Sequence, residues 1–183
     1  MTSGGSPSSD RLIFDASPLL HAARADRLDV LGSLVDGREC VTTQAVMDEI
    51  RRNSQEAHTA VAEEKWVTVV PSDSLPFLVE FSKWAQRMGL KDDHNIGEAT
   101  LCAYASLHGG TVVMDDRDAR RVARQYGVRL QGTLGLLAES CSRGHCTKTG
   151  ASALVDALSA SGMRLPFTRG EFVSWCEQKG LLP

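Results

Sequence analysis

The chain has 183 residues, 42% apolar and 23% charged, which excludes wholesale disorder and gives about one domain whose core needs no disulfide or metal staples. No stretch approaches the roughly 18 consecutive apolar residues that a membrane-spanning helix requires. Twenty Lys and Arg against 23 Asp and Glu leave a net charge of −3, so a polyanionic partner has to be met by a local basic patch and not by the overall field.

Met1 to Asp10 is rich in Ser, Gly and Pro, lacks the apolar core and basic residues of an export signal, and reads as a disordered tail. Together with an odd count of five cysteines, this points to a reducing, cytoplasmic setting. Arg11 to Asp15 forms an apolar strand ending in an acid. Ser17 as N-cap and Pro18 at the first helical position open a helix over 18–35, which Asp36-Gly37 breaks. A strand over 39–42 leads to a helix over 44–52 capped by Thr43, then a helix over 54–64 and a strand over 66–70 closed by Pro71. Helical spacing follows at 74–88 and 95–108, the latter stopped by Gly109-Gly110. Thr111 to Met114 reads as a buried strand running into Asp115-Asp116. A helix over 117–126 ends at Gly127, and 128–130 is a last strand. Helices over 134–142, 151–161 and 169–179 complete the chain. Short apolar strands alternating with helices imply an α/β fold with a parallel sheet of four or five strands, whose strand ends gather the functional groups.

Four carboxylates fall where that architecture collects them. Asp15 and Asp116 stand at or just past the ends of apolar strands. Glu98 shares a helical face with Leu101, Cys102 and Ala105, and Glu49 lies between Val46 and Ile50 at the margin of a buried face. Each has an ordinary reading as well: caps and loop acids for the aspartates, a helix-start acid for Glu98 and a snorkelling side chain for Glu49. Taken together, like charges at close quarters either raise their pKa values or bind a cation. An all-oxygen donor set without histidine at zinc spacing suits Mg²⁺ or Mn²⁺ and phosphodiester chemistry.

Ile13-Phe14-Asp15-Ala16-Ser17-Pro18-Leu19-Leu20, Glu49-Ile50, Gly97-Glu98-Ala99 and Met114-Asp115-Asp116-Arg117-Asp118-Ala119-Arg120, followed by Gly132-Thr133-Leu134-Gly135, resemble in order and spacing the motifs of PIN-domain proteins, including the VapC-like toxin nucleases. The resemblance covers residues 11–140 as a PIN-like nuclease domain, with 141–183 as a C-terminal helical extension that packs on it or forms an interface. It implies a metal-dependent endoribonuclease, with Asp15, Glu49, Glu98 and Asp116 as the catalytic acids and Asp15, Glu98 and Asp116 as metal ligands. Asp115 and Asp118 are additional acids, and Ser17 is a supporting hydrogen-bonding group. The implied cofactor is Mg²⁺ or Mn²⁺. The implied partners are RNA, an antitoxin protein and a second copy of the chain. Many PIN proteins carry Asp where Glu98 stands and Thr/Ser-x-Asp where Met114-Asp115-Asp116 stands, which leaves the choice between Asp115 and Asp116 open; the resemblance favours Asp116, which stands at the family's acid position.

Arg117, Arg120, Arg121 and Arg124 form one helical row beginning beside Asp116. Such a row suits phosphate contacts, with Arg51 and Arg52 as an extension, although a solvated amphipathic face accounts for it equally well. Aromatics make up only 5% of the chain, so stacking platforms for bases are not evident, and Trp66, Trp84 and Trp175 read as core or interface anchors. Cys141, His145, Cys146 and Cys176 lack a usual zinc spacing and read as free thiols; Cys40 and Cys102 read as buried apolar residues. His94, just before the Glu98 helix, reads as structural. Two rival functions remain. One is a catalytically silent PIN-like module binding RNA or protein. The other is a haloacid dehalogenase-type phosphatase with Asp15 as nucleophile, which generally wants an acid two residues on, where Ser17 stands.

Overall fold

A computed structural model describes residues 10–35, 37–90 and 95–183; most of the tail, Asp36 and His94 lie outside the described residues. Five strands form one parallel sheet: β1 (Arg11–Phe14), β2 (Glu39–Thr43), β3 (Val67–Val70), β4 (Thr111–Val113) and β5 (Arg129–Gln131), in the order β3-β2-β1-β4-β5. In register, Ile13 of β1 lies between Val41 of β2 and Val112 of β4. Leu12, Ile13 and Phe14 are consecutive, point to alternate faces and are all fully buried, so both faces of the central strand are covered. The edge strands β3 and β5 are partly exposed, at Thr68 and Val69 on β3 and at Arg129 on β5.

Ten helices surround the sheet among the described residues: α1 (Ala16–Arg24), α2 (Leu28–Leu34), α3 (Gln44–Asn53), α4 (Gln55–Glu63), α5 (Leu75–Met88), α6 (Ile96–His108), α7 (Arg117–Gln125), α8 (Thr133–Ser142), α9 (Lys148–Ala160) and α10 (Phe172–Gln178). The fold is thus α/β, as the alternating pattern implies. α6 lies against β1, β2 and β4 and is flanked by α3 and α5. Its partner α5 inserts the fully buried Trp84, whose Nε1–H donates to Ser106 Oγ at 2.9 Å. Leu154, Val155, Leu158, Phe172 and Cys176, from α9 and α10, belong to the same buried core as the sheet. No helix among the described residues is long and apolar enough to cross a membrane.

Three local expectations are corrected. The helix expected over 18–35 is two helices, because Asp26 takes a left-handed conformation (φ 54°) and the N–H groups of Asp26 and Arg27 close back onto the carbonyls of Ala23 and Ala22. The apolar stripe continues through this break, so periodicity does not reveal it. The N-cap of α1 is Asp15 and not Ser17; Pro18 fits in the first turn because its missing N–H has no intrahelical acceptor there. Thr43 occupies the N-cap of α3, but its hydroxyl pairs with Thr100 Oγ1 at 2.8 Å instead of capping.

Candidate active site

Strands β2 and β3 run out from β1 on one side, and β4 and β5 lie on the other. The order reverses between β1 and β4, and a crevice opens there at the carboxyl ends. The N–H of Asp15 continues the pairing by donating to Val113 O at 3.0 Å, which fixes the residue at the mouth of this crevice. Its side chain makes no cap hydrogen bond and is 5% exposed. Burial, then the neighbouring Glu98, push the Asp15 carboxyl well above the usual carboxylate range. The Ala16 backbone N–H opposes this, and Glu49 and Asp115 add to the rise.

Gly97 explains how acids from separate elements share this space. A Cβ there would lie 3.1 Å from Glu49 Oε2 and 3.9 Å from Asp15 Oδ1. The bare start of α6 therefore admits the Glu49 carboxylate of α3, with Asp15 at ordinary contact distance and Glu98 the next residue. A second glycine acts similarly on the opposite wall. A Cβ at Gly132 would lie 2.7 Å from Arg120 Nη1 and 3.2 Å from Asp115 Oδ1.

The two aspartates after β4 have different surroundings. Asp115 is held at the start of α8: the Thr133 N–H donates to its Oδ1 at 2.9 Å and the fully buried Thr133 hydroxyl to its Oδ2 at 2.6 Å. Asp116 is exposed and caps α7, its Oδ1 accepting from the Ala119 N–H at 2.8 Å. Both line the cleft, as do Asp15, Glu49, Glu98 and Ser17. Asp118 does not; it is exposed and pairs with Arg121 at 3.2 Å. The arginine row divides in the same way. Arg117, Arg120 and Arg124 line the cleft, whereas Arg121 faces away with Asp118. Arg51 and Arg52 are outside the lining, and Arg51 pairs with Asp48 at 3.0 Å.

The cleft encloses about 1460 Å³, more than the roughly 300–1,000 Å³ of small-molecule sites. Beyond the acids and arginines its wall includes Leu165, Pro166 and Trp175, residues without a site role in the sequence reading. Thr133 and the two glycines also shape the cleft through these contacts, and sequence reasoning gives them no role. Their signal was present in the Gly-Glu-Ala and Gly-Thr-Leu-Gly motifs, but the contacts that explain them are long-range.

Among the described residues no group of three or more His, Cys, Asp and Glu forms a ready-made metal cage. The donor chemistry nevertheless fits a hard divalent cation. The acids carry only oxygen ligands, Asp15 is buried among other carboxylates, and Mg²⁺ is commonly held by one or two carboxylates with water and substrate phosphate completing its shell. Cys141 and Cys146 lie at the α8–α9 connection with their sulfurs 3.2 Å apart; all five cysteines are free thiols, and Cys40, Cys102 and Cys176 are buried.

No curated protein and no solved structure matches the chain. A family model described as a PIN domain matches residues 11–171, and PIN domains are in general nucleases. That match spans the sheet, the acid-lined crevice and most of the C-terminal helices, and by it the chain belongs to the PIN-domain family.

Proposed function

We propose that this protein is a divalent-metal-dependent endoribonuclease that hydrolyses RNA phosphodiester bonds in the cleft at the β1–β4 switch point. The observation that carries this reading is Asp15: a buried carboxylate surrounded by Glu98, Glu49 and Asp115, in a cleft whose wall bears four arginines, Arg117, Arg120, Arg124 and Arg164. Asp15, Glu98 and Asp115 are assigned as the principal cation-holding acids, with Glu49 completing the cluster. The assignment moves from Asp116 toward Asp115 because Thr133 fixes both oxygens of Asp115, whereas Asp116 has one oxygen engaged as a helix cap. When bound, Mg²⁺ or Mn²⁺ supplies charge neutralisation at the phosphodiester and acidifies water. Thr133 keeps Asp115 in one orientation. Gly97 leaves room for Glu49 beside Asp15, and Arg117, Arg120 and Arg124 bind and align the phosphate backbone.

The test is cleavage of a mixed single-stranded RNA in Mg²⁺ or Mn²⁺ and in EDTA, by wild type and by Asp15→Asn, Asp115→Asn and Asp116→Ser. Wild type and Asp116→Ser should cleave with metal, and the other two should not. Cleavage by Asp15→Asn in EDTA would end the reading. The lack of a ready-made cage among the described residues favours one second reading, a PIN-like module that binds RNA or protein without cutting; RNA binding with no cleavage in any metal would establish it. A phosphatase of the haloacid dehalogenase type would instead trap phosphate on Asp15. The nuclease reading extends to the toxin of a toxin–antitoxin pair, with an antitoxin partner, a homodimer and a cytoplasmic location. Growth arrest on expression, relieved by a small protein encoded next to it, tests that extension.

A further inference from the structure

The cleft continues past its acids and arginines to an apolar wall, and that wall comes from the C-terminal part of the chain. Leu165 and Pro166 follow α9, and Trp175 lies on α10, beyond the end of the PIN-domain match at residue 171. Trp175 is half-buried, between the anchoring residues Phe172 and Cys176, both of which are fully buried. Its indole packs against Phe167 at a centroid distance of 5.1 Å and an interplanar angle of 42°. Trp175 is therefore held by Phe167 and is one of the residues that line the cleft. On the same cleft surface Arg117, Arg120 and Arg124 extend about 10 Å along α7 at a rise of about 1.5 Å per residue.

We propose that Trp175, with Leu165 and Pro166, forms a stacking subsite for an unpaired nucleobase of the RNA strand whose phosphates lie on the arginine row. This rests on the nuclease reading for the identity of the strand, and what it adds is the contact itself. Guanidinium groups recognise the phosphates and are indifferent to base pairing. An indole face accepts any base, provided the base is turned out of a duplex. A cleft carrying both features binds single strands, loops and bulges, and rejects uninterrupted duplex. The row of Arg117, Arg120 and Arg124 in the same cleft offers repeated phosphate contacts, which favours a nucleic-acid strand over an apolar segment of a protein partner as the occupant.

The experiment measures binding in EDTA, so that it does not depend on cleavage. The probes are a labelled eight-nucleotide single-stranded RNA, the same sequence as a duplex, and an abasic oligomer of equal length. Binding is read by anisotropy in full-length wild type, Trp175→Phe and Trp175→Ala, with tryptophan fluorescence recorded in parallel. The single strand should quench a component of the emission that Trp175→Phe lacks. Trp175→Ala should weaken single-strand binding about tenfold, and Trp175→Phe should recover most of the loss. The abasic oligomer should bind all three forms alike without quenching, and the duplex should bind at least tenfold more weakly than the single strand. If Trp175→Ala does not fold, Trp175→Leu takes its place. Equal single-strand affinity in every variant, or equal quenching by the abasic oligomer, overturns the proposal. So does a protein that ignores single-stranded RNA while an apolar peptide quenches Trp175. A chain that binds and quenches but never cleaves with metal ends the nuclease reading and leaves the subsite standing. Cleavage by Trp175→Ala with unchanged KM does the reverse.

Discussion

Replacing Asp15 by Asn separates the electrostatic cost of the site from its function. The folded-state pKa of Asp15 is raised by burial and by the acids around it. In the unfolded chain the same carboxyl titrates near about 3.9. The native state therefore retains a proton that the unfolded state has already released. The stability linked to Asp15 is fully present below the unfolded value and is lost as pH rises through the raised folded value. At neutral pH, above the unfolded value, the metal-free protein carries a loss from this source, so Asp15→Asn should melt higher than wild type in EDTA. The difference should shrink to nothing as pH falls below the unfolded value.

A divalent cation reverses the balance. At a concentration of 100 times Kd, binding to the native state alone adds about 2.7 kcal/mol. For a chain of 183 residues one kcal/mol moves Tm by roughly 2–4 °C, so wild type should gain roughly 5–11 °C on adding Mg²⁺ or Mn²⁺. If removing the Asp15 charge weakens cation binding tenfold, the stabilisation in the variant falls to about 1.4 kcal/mol; a hundredfold weakening leaves about 0.4 kcal/mol. The assay is thermal unfolding of both proteins across pH 3–8, with EDTA and with a metal titration. Two results together would refute the reasoning: Asp15→Asn less stable than wild type in EDTA at neutral pH, and an identical metal-induced shift in the two proteins. The first removes the burial argument and the second removes Asp15 from the cation site.

Three further expectations test the supporting residues. Thr133→Val removes a buried hydroxyl donor from Asp115 and should destabilise by about 1.5–3 kcal/mol in chemical denaturation, with a matching fall in kcat that Thr133→Ser restores. Gly97→Ala should separate stability from activity: its backbone is compatible with Ala and helix propensity favours the change by up to about 1 kcal/mol, yet the new methyl displaces Glu49 Oε2, so Tm should hold while cleavage falls at least tenfold. Arg117→Gln should reduce the salt dependence of RNA binding by about one phosphate contact, whereas Arg121→Gln, outside the cleft lining and paired with Asp118, should leave the slope unchanged; equal effects would show that the division of the row has no bearing on binding.

The parts of this fold that the sequence makes legible are those set by local pattern. Leu12-Ile13-Phe14 and Val112-Val113 are short apolar runs that fit a doubly covered parallel strand, and the helices between strands carry their periodicity openly. The split between α1 and α2 is hidden because both halves keep the apolar stripe and the interruption rests on one positive φ at Asp26. The acids were legible as candidates because motif spacing and strand ends coincide. Their pairing was not, since it depends on contacts between elements far apart in sequence. Asp115 and Asp116 are adjacent acids with the same local propensities, and the partner that distinguishes them, Thr133, lies 18 residues away. Likewise, the i, i+3, i+4, i+7 spacing cannot divide the arginine row. Arg121 is turned from the cleft by the position of α7 and by Asp118, a tertiary fact laid on an unchanged helical pattern.

The two glycines that frame the cleft show how these levels connect. Neither Gly97 nor Gly132 has the positive φ that would require glycine on backbone grounds. What each position needs is the absence of a Cβ. At Gly97 the missing atom makes room for the Glu49 carboxylate arriving from α3 beside Asp15; at Gly132 it makes room for Arg120 to approach beside Asp115. One wall thus gathers negative charge and the other sets a guanidinium next to an acid. Clustered carboxylates at the first position favour a cation, and the guanidinium at the second faces the cleft where a phosphate would lie. A substitution at either glycine therefore acts on the electrostatics of the site while leaving every charged residue of the chain in place. Charge counting along the sequence does not register such a change, and a metal-binding or RNA-binding measurement does.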